Sequence, residues 1–438
     1  MDPATGTLAG ESVAFVGDVD GDGREDFMLG APRASGAGEA SEGGAAFLVT
    51  ALLSATMSPG PELGAAVRGE EGDTTGYSLA PAGDVNDDGL ADVLVGVGGS
   101  DGTAYRPARV RLLLGPFSGE IALSGADPGV TGLNGGLGRY PNGCLAPMLD
   151  LDADGIADLA VGDPGDKSLG PGTGAVFVLS GPIDARRDLS SVSATLLGAE
   201  PYDQTGRGLG VGDLDGDGVG DLLVGAPYGG GEDRGAVWIW PGPLGGSLEV
   251  GDAPASISDP DGVSGYVGVH LLSKFDANDD GYDDILLSAT EDRSRGTMKG
   301  AVYLFPGPVL GHLGLGDAVA SFFASPPGFE AGGWGRLGET TSAGDLDGDG
   351  WLDLVISAPS SLSTAAWALR GPFEGARDLA SEGLLFVSED PDRAVGASVA
   401  TGGDLDGDGL DEVLLGSPHA PGQGAVFLFL GASLAWPG

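Results

Sequence analysis

Short apolar runs of four to eight residues, closed off by Gly and Pro, recur along the whole chain. Seven of them hold the same place in a repeated unit: "FMLGAP" from Phe27, "VLVGVG" from Val93, "LAVGDP" from Leu159, "LLVGAP" from Leu222, "ILLSAT" from Ile285, "LVISAP" from Leu354 and "VLLGSP" from Val413. Each is preceded by a semi-apolar stretch such as "SVAFVG" from Ser12 or "SVATGG" from Ser398. A third run follows, as in "GAVFVLSGP" from Gly174, "GAVWIWPGP" from Gly235, "GAVYLFPGP" from Gly300 and "GAVFLFLG" from Gly424. A fourth closes most units, as in "SATLLGAE" from Ser193 or "LLFVSED" from Leu384. Runs of this length, rich in Val, Leu and Phe and bounded by Gly and Pro, are strands; they are too short for helices. Each unit therefore reads as four antiparallel strands.

Between the first and second runs lies a polar segment that also repeats. Its copies are "DVDGDGRED" from Asp18, "DVNDDGLAD" from Asp84, "DLDADGIAD" from Asp150, "DLDGDGVGD" from Asp213, "DANDDGYDD" from Asp276, "DLDGDGWLD" from Asp345 and "DLDGDGLDE" from Asp404. Seven units at this spacing fill the chain and leave no room for a separate catalytic domain. A single blade cannot bury both of its faces, but blades set side by side in a ring can. The expected fold is all-β, a seven-bladed β-propeller of four-stranded antiparallel blades over residues 1–438. A parallel β-helix is the alternative, and its turns are much shorter. Only 17 residues precede Asp18, and Gly438 comes seven residues after Gly431. The last blade is therefore expected to be incomplete, with Met1–Leu8 or Ala432–Trp436 closing the ring irregularly, or the chain to be a fragment of something longer.

The polar repeat has metal-binding chemistry. Position 1 is Asp18, Asp84, Asp150, Asp213, Asp276, Asp345 or Asp404. Position 3 is Asp20, Asn86, Asp152, Asp215, Asn278, Asp347 or Asp406. Position 5 is Asp22, Asp88, Asp154, Asp217, Asp280, Asp349 or Asp408, and position 9 is Asp26, Asp92, Asp158, Asp221, Asp284, Asp353 or Glu412. Gly stands at position 6 in all seven copies, where the loop must turn sharply. Position 7 varies freely (Arg24, Leu90, Ile156, Val219, Tyr282, Trp351, Leu410), as expected if only its backbone carbonyl is a ligand. Alternating oxygen donors on a tight loop converge on one point and suit a hard cation with flexible coordination. Calcium fits, and the absence of His or Cys donors argues against zinc and copper. Up to seven structural Ca²⁺ are expected. Asp-Gly runs are also ordinary turn formers, but seven copies with four fixed oxygen positions go beyond turn chemistry. An EF-hand needs an acid at position 12 between helices; here position 12 is Leu29, Val95, Val161, Val224, Leu287, Ile356 or Leu415, all in strands.

With this motif in place, the whole chain resembles the FG-GAP repeat family, the β-propeller of integrin α-chains and its bacterial relatives. The resemblance rests on "LGAP" (Leu29–Pro32), "VGAP" (Val224–Pro227) and "SAP" (Ser357–Pro359), each just after an acidic loop. The leading Phe-Gly is degraded to forms such as "TGYSLA" and "VGASVA". The resemblance implies seven blades and calcium in the hairpin between the first and second strands. The chain departs from the animal receptors in carrying a loop in every blade and in showing no disulfide and no inserted helical domain, which favours a bacterial or generic extracellular member.

Composition refines this picture. Gly makes up 85 of 438 residues, consistent with tight turns, and hydrophobic residues are 41%. The net charge is −45, which disfavours nucleic acid and anionic membranes as partners. Seven divalent cations would cancel only about a third of it, leaving an acidic surface. No apolar run is long enough to span a membrane, and "MDPATGTLAG" has neither the basic nor the apolar region of a signal peptide. Weak calcium sites are filled outside cells and empty inside, so the expected location is extracellular, secreted or at the cell surface.

The expected function is a calcium-stabilised binding or adhesion module with a protein or glycan ligand on the face opposite the calcium loops. That face is expected to carry Tyr77, Tyr105, Arg106, Arg139, Tyr140, Tyr202, Arg207, Tyr228, Tyr266, Trp334 and Arg336, although any one of these could simply pack a loop base. A lectin, or a non-catalytic propeller of a secreted hydrolase or lyase, is the alternative. Catalysis by this chain is not expected: His270, His312 and His419 lie in different repeats, and no GxSxG or HExxH occurs. The lone cysteine, Cys144, sits in an apolar stretch and reads as an inert core thiol.

Overall fold

The computed structural model describes residues 7–34, 43–50, 60–98, 108–123, 128–133, 144–230, 235–260, 262, 265–294, 300–324, 336–359, 365–387, 395–420 and 423–437. Seven sheets follow one another along the chain, as seven blades of a propeller. The first has strands Val13–Gly17, Asp26–Ala31, Ala45–Val49 and Gly64–Arg68, paired antiparallel in sequence order. The fourth blade repeats this with Gly208–Gly212, Asp221–Ala226, Ala236–Trp240 and Ala255–Ser258.

The apolar runs are continuous because both faces of each blade are covered. Seven apolar clusters fill the structure, one between each pair of neighbouring blades. Alternate residues of one strand serve different clusters: Val93, Val95 and Val97 face the first blade, while Leu94 faces the third. The seventh cluster joins Ala400, Leu405 and Leu414 of the last blade to Val13, Phe27 and Leu29 of the first. The ring thus closes by the same face-to-face packing that joins consecutive blades, with one parallel bridge from Ala9 to Gly424 added.

The "GAP" glycine has a structural purpose. Gly225, in the second strand of blade four, lies against the carbonyl of Gly268 in blade five, and a Cβ there would sit 2.1 Å from that oxygen. Gly416 meets Gly10 in the same way across the closure. Ser12 Oγ donates to the Gly76 carbonyl at 2.8 Å, and Ser398 Oγ to the Gly10 carbonyl at 2.9 Å, each tying one blade to the next.

The blades depart from a uniform four strands. Five of them gain an extra, parallel strand contributed by the following unit, a fifth strand in four of these blades and a fourth in the third blade: Gly119–Ala122, Arg186–Asp188, Gly246–Glu249, His312–Gly314 and Gly375–Asp378. These strands are three or four residues long and half exposed, with little apolar signal to announce them. In the third blade the first strand is reduced to two bridges, Leu145 to Val161 and Leu149 to Asp158. Among the described residues the last blade has three strands, Val399–Gly402, Glu412–Ser417 and Ala425–Phe429. Its outer strand is half exposed, and Leu434 and Trp436 pack beside the cluster it shares with blade six.

Candidate metal centres

Each acidic loop joins the first and second strands of its blade, and all seven adopt one conformation built on their own carboxylates. Position 1 accepts the N–H of the position-6 glycine on Oδ2, at 2.9 Å in Asp18, 2.8 Å in Asp84, 2.8 Å in Asp150 and 3.0 Å in Asp213. The same bond is 2.7 Å in Asp276, 3.1 Å in Asp345 and 2.8 Å in Asp404. Its Oδ1 accepts from position 4 or 5. The position-3 side chain accepts from the N–H of position 5. The position-5 side chain accepts from the N–H of position 7. These bonds wind the backbone into a tight coil with φ between +85° and +89° at position 6 in every copy, a region glycine enters freely.

The coil gathers the acids. In five loops three or four carboxylates each place an oxygen within 4.8 Å of the others: Asp18, Asp20 and Asp22; Asp150, Asp152 and Asp158; Asp213, Asp215 and Asp221; Asp345, Asp347 and Asp353; and Asp404, Asp406, Asp408 and Glu412. In the remaining two, Asn86 and Asn278 supply a neutral oxygen at position 3. The donors are all oxygens, several of them charged and crowded, with position 9 buried and positions 3 and 5 towards solvent. That donor set fits a hard divalent cation such as calcium. Loop 345–353 carries a competitor, because Arg370 Nε pairs with Asp347 Oδ2 at 2.7 Å.

Position 9 does more than offer a ligand. Its carboxylate accepts the N–H of position 2 in all seven loops, as in Val19 to Asp26 at 2.8 Å and Leu214 to Asp221 at 2.8 Å. In five blades its other oxygen accepts the N–H of the glycine in the Gly-Pro turn that ends the third strand. Asp26 Oδ1 and Glu412 Oε1 are buried with no such partner among the described residues. Burial pushes these acids up, against the pull of the backbone donors and with the neighbouring carboxylates adding to the rise. The values reach about 7 for Asp26, Asp353 and Glu412 and about 6 for Asp158, Asp221 and Asp284, with Asp92 also raised. A cation among them would remove that penalty.

The opposite end of the ring gathers other side chains. Tyr77 hydrogen-bonds Glu11, whose carboxyl is pushed up by burial despite His419 and Arg33 nearby. Burial and Glu11 both raise the Tyr77 hydroxyl, and Glu339 lies within its field. These groups come from blades one, two, six and seven. Tyr228 and Tyr266 pack in a tilted pair with centroids 4.6 Å apart, Tyr202 stands 65% exposed, and Arg336 pairs with Glu339 at 3.2 Å. Arg207 is buried rather than surface-borne. Tyr105, Arg106, Arg139, Tyr140 and Trp334 lie outside the described residues. Glu11 and His419 were not in the sequence-derived set, because nothing in a repeat alignment shows which loops meet across the ring closure. Cys144 is fully buried and its thiol is pushed up to about 12, in keeping with an inert core residue. His270 is buried and held neutral, its pKa lowered to about 4 by desolvation, while His312 lies exposed on a fifth strand.

The FG-GAP repeat family matches residues 9–48, 205–240, 337–368 and 395–429, spanning the first, fourth, sixth and last loops. Integrin alpha pat-2 of Caenorhabditis briggsae is 28% identical over 239 residues, which is 52% of this chain and 19% of that protein. Human integrin alpha-IIb is 33% identical over 150 residues, 32% of this chain and 14% of its own length. Phosphatidylinositol-glycan-specific phospholipase D of Rattus norvegicus is 35% identical over 173 residues, 37% of this chain and 20% of its own. The chain thus spans a fifth or less of the length of these relatives. Among solved structures, the exotype rhamnogalacturonan lyase YesX aligns over 77% of this chain and 49% of its own at 14% identity with a TM-score of 0.30, too distant a likeness to bear on chemistry. The chain thus carries four FG-GAP repeats on a ring of seven blades and is similar to integrin α-chains.

Proposed function

We propose that the chain is a calcium-stabilised extracellular binding module whose metal sites are structural. The observation that carries this reading is the identity of the seven loops: one hydrogen-bond scheme gathers oxygens at the same positions in each blade. Calcium would be held by the side chains at positions 1, 3, 5 and 9 and the carbonyl at position 7. It would offset the repulsion of three or four carboxylates per loop. Loop 345–353 would be the weakest site, since Arg370 already holds Asp347. Because five of the loops pin their second strand to the end of the third, metal binding would stabilise the ring by mass action. Chelation with excess EDTA should lower the melting temperature by several degrees and added calcium restore it. An unchanged melt would overturn the reading.

The ligand is proposed to bind at the end away from the loops, where Glu11, Tyr77, Arg33, Glu339 and His419 converge and the Tyr228–Tyr266 pair lies. Aromatic and Arg side chains beside charged groups are common in binding patches. A glycan array probed with and without calcium separates a lectin from a protein-binding module. The phospholipase D relative supports a second reading, an accessory propeller within a larger enzyme.

A further inference from the structure

Neighbouring acidic loops are bonded to one another. The N–H of Ala91 donates to the Asp18 carbonyl at 2.8 Å, and that of Gly220 to the Asp150 carbonyl at 2.7 Å. Two junctions are tighter. Asp283 donates its N–H to the Asp213 carbonyl at 3.1 Å and accepts the Asp213 N–H on Oδ2 at 2.8 Å. Asp411 does the same to Asp345, at 2.9 and 2.8 Å. The backbone of the first acid in loops 213–221 and 345–353 is therefore gripped on both sides by position 8 of the next loop. Side chains reinforce both grips: a Cβ on Gly216 would lie 2.8 Å from the Tyr282 ring, and one on Gly348 would lie 2.7 Å from Leu410.

We propose that loop 213–221 with loop 276–284, and loop 345–353 with loop 404–412, bind calcium as coupled pairs, with Asp283 and Asp411 as positioning residues. The inference rests on the calcium reading above. Its physical basis is a shared peptide unit. The carbonyl of Tyr282, the backbone donor expected for its own loop, belongs to the same peptide as the Asp283 N–H that holds Asp213. A cation drawn to that carbonyl polarises the peptide and strengthens the N–H as a donor. It also fixes the peptide plane, so the grip on Asp213 is already ordered when the neighbouring loop binds. Leu410 and Asp411 stand in the same relation to Asp345. Coupling of this kind is reciprocal between the two loops of a pair.

The test is calorimetric titration of the full-length protein with calcium. Asp280→Ala, which removes a ligand of loop 276–284 only, should lower the stoichiometry by one and also weaken a second site by roughly tenfold, within the usual range of site–site coupling. Asp283→Ala should preserve the stoichiometry and weaken that pair. Asp283→Asn, which retains an oxygen acceptor, should restore most of the affinity. A merely structural Asp283 would instead lower the EDTA melting temperature and leave the isotherm unchanged, which overturns the proposal. So does loss of one site in Asp280→Ala with every other affinity intact. A wild-type protein that takes up no calcium overturns this inference and the calcium reading together.

Discussion

Gly225 has no space for a methyl group. Its φ is ordinary, so the demand comes from the carbonyl of Gly268 in the next blade, which a Cβ would approach to 2.1 Å. Gly218, at position 6 of the neighbouring loop, is the reverse case: it has open space around it and φ of +85°. Gly225→Ala should therefore destabilise by about 1–3 kcal/mol through overpacking between blades. Gly218→Ala should cost only the conformational strain, about 1 kcal/mol. Chemical denaturation of both variants in saturating calcium checks the order; equal losses would mean the blade contact can relax. The turning role of the position-6 glycine was legible in the sequence, because the loop around it is local. The close approach that Gly225 admits was not, because the backbone it meets belongs to the next unit.

At the scale of the hairpin, the same acids that gather for a cation burden the metal-free fold. The position-9 carboxyls of Asp26, Asp353 and Glu412 have pKa values of about 7 in the folded chain, above the ordinary carboxylate range of the unfolded one. The folded state therefore holds these protons more tightly. The favourable contribution is complete below about pH 4 and is lost as pH rises through about 7. In EDTA, the melting temperature should fall between pH 5 and pH 8. With saturating calcium, which binds the ionised form, that fall should vanish or reverse. A metal-free melt that rises over this range would contradict the burial of these acids. The sequence identified the acids at positions 1, 3, 5 and 9 and the glycine at 6. It did not show that position 9 also ties position 2 and the end of the third strand, nor that position 8 reaches the preceding blade, because those partners lie a strand or a whole unit away.

At the scale of the molecule, closure is the decisive event. Leu414, fully buried between the last blade and the first, and Leu223, fully buried between blades four and five, occupy equivalent clusters. If closure uses the same packing as every other junction, Leu414→Ala and Leu223→Ala should each cost about 2–5 kcal/mol. Both variants should retain a single unfolding transition in urea. A much smaller loss for Leu414→Ala would show that the first and last blades do not bear on each other in solution. The sequence by itself determined the number of units, the all-β make-up of each and the acidic loop in each, because strand period, turn residues and alternating oxygens are local properties written in every copy. It placed these loops in the first hairpin and saw that nothing in it called for helices. Only the tertiary structure decided the extra parallel strands, the weakened first strand of blade three and the way Ala9 and Gly10 meet Gly424 and Gly416. It also decided the meeting of Glu11, Tyr77 and His419. All but the weakened strand join residues from different units, and such contacts exist only once the ring has brought its blades together.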